Sequence, residues 1–375
     1  MNFQVPEYIR TLAPYVPGKP IEETQREFKL KHVVKLASNE NPLGPSPKGL
    51  LAVRKVMKEL HRYPDASAYR LKNAIAQKEG LEPSQVLVGN GSEEVISLLI
   101  RTYTIPGDKI ACPQASFIAY PICAQAHGVS SVRSGLLPGM RADLDDLLRV
   151  VKQDEKVRMV FLANPNNPTG TYVPDFALRA FLKECAKVRG GTVLVVLDYA
   201  YWEYVTAKDL SDPLEMLRLF PNVIVTRTFS KIYGLAGLRT GYGLARSEVW
   251  EPILRIKMPF NLTIPALVAA EAALNDRGFV SRARKVNEQG MKFWMKALDR
   301  LEIPFFPSQG NFLLCDVKQG LGLSGPEVYQ ACLRKGVIFR PVANYGLPDH
   351  LRISIGTPEE NRVGLKALAS VGRTA

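Results

Sequence analysis

The stretch Thr228-Phe-Ser-Lys231-Ile-Tyr-Gly-Leu-Ala-Gly-Leu-Arg239-Thr-Gly-Tyr242 comes two residues after an apolar run, Val223-Ile-Val225, and sets one lysine among hydroxyls, glycines and an arginine. The run predicts a short buried strand, so Lys231 should leave its carboxyl end, where open α/β sheets bind ligands. Thr228, Ser230 and Arg239 can converge there on a dianion, the arginine offering a planar fork of donors. A lysine amine becomes nucleophilic when it is desolvated or stands near a second cation, and Arg239 can supply that second condition. The segment therefore predicts a Schiff-base lysine beside a bound phosphate.

Upstream, the same pattern repeats. Short apolar runs at 86–88, 109–112, 159–162 and 193–197 alternate with stretches of helical spacing such as 48–60 and 92–103. Apolar strands separated by helices predict a doubly wound, mostly parallel α/β sheet covered on both faces. After about Pro265 the pattern changes to a long charged helix at 279–301, strands at 312–317, 337–339 and 351–355, and helices at 325–335 and 359–371. This predicts a smaller α+β unit. With 375 residues, the chain exceeds the size at which one core usually stops growing. We expect an N-terminal arm over 1–45 attached to the small unit, a large ligand-binding unit over 46–265 and a small unit over 266–375.

Three further segments end strands of the large sheet. Gly89-Asn-Gly-Ser-Glu-Glu94 lies between a strand and a helix, where the backbone N–H groups of Gly91, Ser92 and Glu93 form an anion site, or where Ser92 is simply a helix cap. Asn164-Pro-Asn-Asn-Pro-Thr-Gly170 is either an ordinary turn or a rigid mount that presents the amide of Asn167. Asp198 closes the run Val193-Leu-Val-Val-Leu197, with Tyr201 three positions on. That aspartate either caps the next helix or pairs with a protonated ring nitrogen while Tyr201 donates to a phenolate. Four strand ends, at Gly91, Asn167, Asp198 and Lys231, would then surround one aromatic, phosphorylated ligand. Pyridoxal phosphate carries that set of groups.

These segments resemble those of the fold-type I, class I/II aminotransferases and, more narrowly, the histidinol-phosphate aminotransferases. The similarity runs nearly end to end. It includes Leu12-Ala-Pro-Tyr15-Val-Pro-Gly-Lys-Pro20, Ala37-Ser-Asn-Glu-Asn-Pro-Leu-Gly-Pro-Ser-Pro47, Arg62-Tyr63-Pro-Asp65, Tyr345-Gly-Leu-Pro348 and Leu351-Arg352-Ile-Ser-Ile-Gly-Thr357. The resemblance implies pyridoxal 5'-phosphate bound through Lys231, which would also shuttle the substrate proton, with Asp198 on the ring nitrogen and Tyr201 and Asn167 on the ring oxygen. It implies Phe117 stacked on the ring, and a phosphate held by Arg239, Ser230, Thr228 and the Gly91-Ser92-Glu93 backbone. Tyr63 would reach across a homodimer interface into the neighbouring site. Tyr15, Arg340 and Arg352 would bind the anionic groups of the substrate. Two positions depart from the family pattern: Tyr199, where glutamate is usual, and Ala115, often aromatic or histidine.

The implied reaction moves an amino group between L-glutamate and imidazole-acetol phosphate in histidine biosynthesis. An aromatic amino-acid aminotransferase is the nearest alternative, and a threonine-phosphate decarboxylase shares the scaffold. The net charge of +13 also admits a nucleic-acid-binding protein. Lysine and arginine are nevertheless spread without a long run, and no recognition motif is present, which favours small anions and predicts no nucleic-acid partner. Five widely spaced cysteines, mostly in apolar sequence, suit buried thiols in a reducing compartment. Four histidines without ligand spacing predict no metal site. No apolar run approaches the roughly 20 residues needed to cross a bilayer. The N-terminus has no signal-peptide core, so a cytoplasmic protein with no membrane partner is expected.

Overall fold

A computed structural model describes residues 3–14 and 17–371. Its largest sheet has seven strands: β1 (Val86–Gly89), β2 (Lys109–Pro113), β3 (Ser130–Ser134), β4 (Val157–Ala163), β5 (Leu194–Asp198), β6 (Val223–Thr228) and β7 (Gly241–Leu244). Their spatial order is β1-β7-β6-β5-β4-β2-β3. The pairs from β6 through β3 are parallel, and only β7 runs against its neighbours. The expected doubly wound, mostly parallel sheet is thus the observed one.

Alternation along each strand explains the two covered faces. Val160 and Leu162 of β4, Val195 and Leu197 of β5, and Val223 and Val225 of β6 pack into one core with Leu71, Ile75, Leu178 and Leu182. Their neighbours Met159, Phe161, Val196 and Ile224 point the other way, onto Val95, Leu99, Tyr120 and Trp250. Such strands carry no alternation of polarity, because both faces are dry.

The antiparallel strand β7 went unpredicted. Its sequence, Gly241-Tyr-Gly-Leu244, has the look of a turn, but the glycines answer to crowding. A Cβ at Gly241 would stand 2.2 Å from the Ser92 nitrogen, and one at Gly243 2.8 Å from the Trp250 ring. Close backbone approach, rather than a bend, requires them.

A second sheet has four antiparallel strands, β8 (Phe305–Phe306), β9 (Phe312–Asp316), β10 (Arg340–Val342) and β11 (Leu347–Ser354), in the order β8-β9-β11-β10. Leu313, Cys315, Leu351 and Ile353 pack with Trp294 and Leu298 of helix Arg277–Arg300 and with Leu368 of helix Pro358–Ala369. The Trp294 indole N–H donates to Asn361 Oδ1 at 2.8 Å, giving the buried ring its polar partner. The strand expected over 337–339 is divided. Val337–Ile338 pairs in parallel with Val34–Lys35 of the N-terminal segment, while Arg340 begins β10.

Helix Ile264–Leu274 lies at the expected junction near residue 265, and its Ala266, Ala269, Ala270 and Ala273 are part of the large-sheet core. All five cysteines are free, four of them buried, and burial raises their thiols, Cys112 to about 11. Among the described residues, no helix is long and apolar enough to cross a membrane.

Candidate active site

A cavity of about 270 Å³ opens at the carboxyl ends of β4, β5 and β6, facing β10 and β11 of the smaller sheet. Its walls include Ser92, Glu93, Phe117, Asn167, Asp198, Tyr201, Thr228, Ser230, Lys231, Arg239, Arg340 and Arg352, twelve of the residues expected from sequence. Strand ends in a parallel sheet all point their outgoing loops to one edge, which is why residues spread over 92–239 meet there.

The Lys231 amine donates to the Ser38 carbonyl at 3.2 Å and lies 5.8 Å from the centre of the Tyr201 ring. Burial, with the nearby Arg352 cation, lowers the amine from its ordinary value to about 8. Both conditions that make a lysine nucleophilic are met, and the dominant one is desolvation rather than Arg239.

Opposite the lysine, Asp198 ends β5. One carboxylate oxygen accepts from the Ala200 backbone at 3.1 Å and the other from the Tyr120 hydroxyl at 2.8 Å. Burial raises this carboxyl, and the Tyr120 hydrogen bond works against that rise. Tyr120 was not anticipated. It is fully buried in helix Ala119–Gln125, and the only signal for it is the general need of a buried tyrosine for a polar partner. Phe117, on the cavity wall, meets Tyr120 edge to face, with ring centres 5.6 Å apart.

The residues expected to form an anion cup lie together. Thr228 donates to Ser230 Oγ at 3.0 Å, and Arg239 Nη1 stands 3.5 Å from the same oxygen. Helix Gly91–Tyr103 begins beside them, so its first N–H groups, which have no partner within the helix, face the cup. Gly91 has φ +77°, and a Cβ there would come within 2.8 Å of Arg239 Nη2. Glycine is what lets the guanidinium cross the helix end.

On the other wall, Arg340 of β10 and Arg352 of β11 are register partners. The Arg352 guanidinium donates to Asn167 Oδ1 and to the Ala37 carbonyl. Tyr201 accepts from Asn39 Nδ2 at 2.9 Å, and burial pushes its phenol up to about 12. The N-terminal segment Ala37-Ser38-Asn39-Glu40 thus lines the cavity, as does Tyr345, none of which was singled out as site residues.

Of the other residues expected from sequence, Gly91 is not on the cavity wall but begins the helix beside the cup, and Tyr63 does not line the cavity. Tyr63 is 82% exposed, its ring stacked on Phe260 with centres 4.8 Å apart. Tyr15 lies outside the described residues. Of the two departures from pattern, Tyr199 is buried in the large core and stacks edge-on with Trp202, while Ala115 accepts from Asn166 Nδ2 through its carbonyl at 2.9 Å.

Comparison with known proteins identifies the family. The profile of the family described as aminotransferase class I and II matches residues 31–368. A histidinol-phosphate aminotransferase of Anaeromyxobacter sp. (strain Fw109-5) is 47% identical over 98% of both chains. Histidinol-phosphate aminotransferase 2 of Pseudomonas fluorescens (strain Pf-5) is 45% identical over 97% of this chain and 96% of that one. Among solved structures, histidinol-phosphate aminotransferase from Sinorhizobium meliloti, in complex with pyridoxal-5'-phosphate, superposes with a TM-score of 0.89 at 27% identity, covering 100% of this chain and 99% of that one.

Proposed function

The chain belongs to the class I and II aminotransferases, and from that membership we propose that it transfers an amino group between L-glutamate and imidazole-acetol phosphate, giving 2-oxoglutarate and L-histidinol phosphate, with pyridoxal 5'-phosphate as cofactor. The observation that carries the substrate class is the pair Arg340 and Arg352, side by side in register on the wall facing Lys231. Guanidinium forks accept carboxylate and phosphate alike, as one pocket must when it takes both glutamate and a phosphate ester.

The donor set fits the cofactor group by group. The cup at Gly91, Ser92, Glu93, Thr228, Ser230 and Arg239 would hold its phosphate, and Phe117 would cover a ring face. Tyr201 and Asn167 would hold the ring oxygen, and Asp198 the protonated ring nitrogen. Bound there, pyridoxal phosphate supplies an aldehyde for the amine and a ring that withdraws electrons from the substrate Cα.

Lys231 has two tasks in this reading. Its amine, lowered to about 8, offers a useful neutral fraction at physiological pH to capture the aldehyde. The same amine would take up the proton leaving the substrate Cα. Asp198 keeps a negative charge against the ring nitrogen, and Arg352 orients the substrate carboxylate while Arg340 receives the distal phosphate or carboxylate.

We also infer a homodimer. Leu60, Tyr63 and Phe260 line one exposed groove, with Met57 and Met258 also exposed close by in the chain, and exposed apolar groups of that kind mark association surfaces. Tyr63 would contribute to the cavity of the second copy, and Tyr15 would complete the substrate pocket from the arm. The working units are read as the arm 1–45, the cofactor-binding unit 46–265 and the smaller unit 266–375, with helix Ile264–Leu274 at the junction. The setting is the cytoplasm, and the basic surface serves small anionic substrates.

Absorbance spectroscopy tests the assignment. The purified protein should show a yellow band that L-glutamate bleaches to the amine form, and L-histidinol phosphate should do so at far lower concentration than L-phenylalanine. Equal response to phenylalanine would move the reading to an aromatic aminotransferase. No band after adding pyridoxal phosphate would overturn the role of Lys231.

A further inference from the structure

Asn39 sits at φ +54°, in the left-handed region that asparagine tolerates better than most residues, and only 1% of its surface is exposed. In that pose it makes four hydrogen bonds. Its backbone N–H donates to Ser354 Oγ at 2.9 Å and its carbonyl accepts from Asn311 Nδ2 at 3.0 Å. Its side-chain oxygen accepts from Ser354 Oγ at 2.7 Å, and its side-chain nitrogen donates to the Tyr201 hydroxyl at 2.9 Å.

Hydrogen counting gives this arrangement a direction. A hydroxyl has one hydrogen to give and two lone pairs. Ser354 Oγ already accepts from the Asn39 backbone, and it spends its own hydrogen on Asn39 Oδ1. The amide nitrogen is then the only group left to face Tyr201. Because the tyrosine oxygen accepts from Asn39, its own hydrogen is not used there. With the amide reversed, the asparagine oxygen would take the phenol hydrogen, and Tyr201 would face the cavity as an acceptor.

We propose that Asn39 is a positioning residue for Tyr201 and that Ser354 sets its polarity: the serine holds the amide oxygen, the amide N–H holds the phenol oxygen, and the phenol hydrogen is thereby directed into the cavity. The inference rests on the reading that pyridoxal phosphate binds there, since its anionic ring oxygen is the group that needs a donor. Ser354 stands two residues from Arg352 on β11, so both side chains leave the same face of the strand. Arg352 grips the Ala37 carbonyl while Ser354 grips Asn39, and one short segment, 37–39, joins the carboxylate-binding strand to the tyrosine.

The test is the pH midpoint of the visible band of the lysine-bound cofactor, with cofactor affinity measured in parallel by equilibrium dialysis. Lys231 is influenced there by Arg352, Glu40, Arg239 and Asp198, and Tyr201 by Arg352, its hydrogen bond from Asn39, Tyr345 and Asp198; of these the variants alter only Asn39, and none adds or removes a charged group. Tyr201→Phe supplies the reference, an upward shift, because a ring oxygen without its donor holds the neighbouring proton more tightly. Ser354→Ala should shift the midpoint upward by at least half as much, and Ser354→Thr, which restores the hydroxyl, should return it. Asn39→Gly, which keeps the left-handed backbone and removes the amide without adding a charge, should also move it upward and weaken cofactor binding. A folded Ser354→Ala protein with the wild-type midpoint overturns the proposal. Should that variant fail to fold, an Asn39→Gly midpoint at the wild-type value does the same. A wild-type protein that shows no band removes the premise, so the two failures are distinguishable.

Discussion

The Tyr120 hydroxyl donates to Asp198 Oδ2 across 2.8 Å, with Tyr120 fully buried and Asp198 buried on the cavity wall. The tyrosine ring is held by stacking on Phe161, centres 4.8 Å apart, and by the edge contact with Phe117. One side chain therefore braces both the carboxylate and the aromatic wall. Tyr120→Phe keeps that packing and removes only the donor. The Asp198 carboxyl, already raised by burial, should rise further, so the acid limb of the kcat profile should move to higher pH. Cofactor affinity should fall about tenfold, the worth of roughly 1.4 kcal/mol from a lost hydrogen bond to a charged group. An unchanged acid limb in the variant would dismiss the electrostatic role of Tyr120.

Asp198 also makes a stability prediction with a definite sign. Its carboxyl is raised in the folded protein, so the folded state resists ionisation and the stability it confers is full below the unfolded value of about 4 and is lost as pH rises through the folded value. Asp198→Asn removes that cost. The cofactor-free variant should melt higher than the cofactor-free parent at pH 7, with the gain vanishing toward pH 3.5. Turnover should nevertheless fall by about 10²-fold or more, the scale seen when a preorganised electrostatic partner is lost. Melting curves at both pH values, run beside activity, separate the two effects.

For Lys231 the expected signature is kinetic. With its amine at about 8, the neutral fraction should rise from roughly a tenth at pH 7 to nine tenths at pH 9. Cofactor capture by the apoprotein, followed by absorbance, should accelerate about tenfold over that interval and then level off. An ordinary lysine would accelerate about a hundredfold and keep rising. Lys231→Ala should abolish turnover while cofactor still binds through the phosphate cup.

How far the sequence leads is clear from where it stops. Lys231, Asp198, Thr228 and Asn167 were legible because each follows an apolar run long enough to be a buried strand, and strand ends in such sheets converge. Strand β7 was hidden because its glycines serve tight approach to Ser92 and Trp250, and nothing local distinguishes that from a turn. Tyr120, Asn39 and Ser354 were missed for a related reason. Their roles arise from partners 78, 162 and 315 positions away, and no periodicity encodes such pairings. Arg340 and Arg352 were both expected to bind the substrate's anionic groups, but the sequence placed Arg340 just past a strand at 337–339, whereas the chain there leaves its pairing with Val34–Lys35 and only then enters the sheet beside Arg352.

Behind the cavity, Arg227 of β6 carries a buried charge between two carboxylates. It donates to Glu203 at 2.7 Å and lies 3.8 Å from Glu79, whose other oxygen accepts from Tyr242 at 3.1 Å. Arg227→Met keeps the bulk and strands two buried carboxylates, so unfolding by denaturant should show a loss of about 3–5 kcal/mol. Adding Glu79→Gln and Glu203→Gln should recover most of it. If the triple variant is no more stable than the single one, the cost lies in packing instead of charge.

The two arginines of the smaller sheet should divide substrate recognition between them. Arg352 is anchored by Asn167 and the Ala37 carbonyl, which fixes its fork for the carboxylate common to every amino donor. Arg352→Lys keeps the charge and loses the fork, so KM should rise for glutamate, histidinol phosphate and phenylalanine together, by about 10- to 100-fold for charge-assisted bonds worth roughly 1.5–3 kcal/mol. Arg340 faces the distal group. Arg340→Gln should lower kcat/KM for histidinol phosphate by a similar factor, about 10- to 100-fold, yet leave phenylalanine, which has no distal anion, nearly unchanged. Because the two residues are register partners, the double variant should depart from additivity, as groups sharing one bound anion do. Steady-state kinetics with the three donors on the four proteins decides the matter, and a parallel loss of phenylalanine activity in Arg340→Gln would reassign that arginine to the common carboxylate.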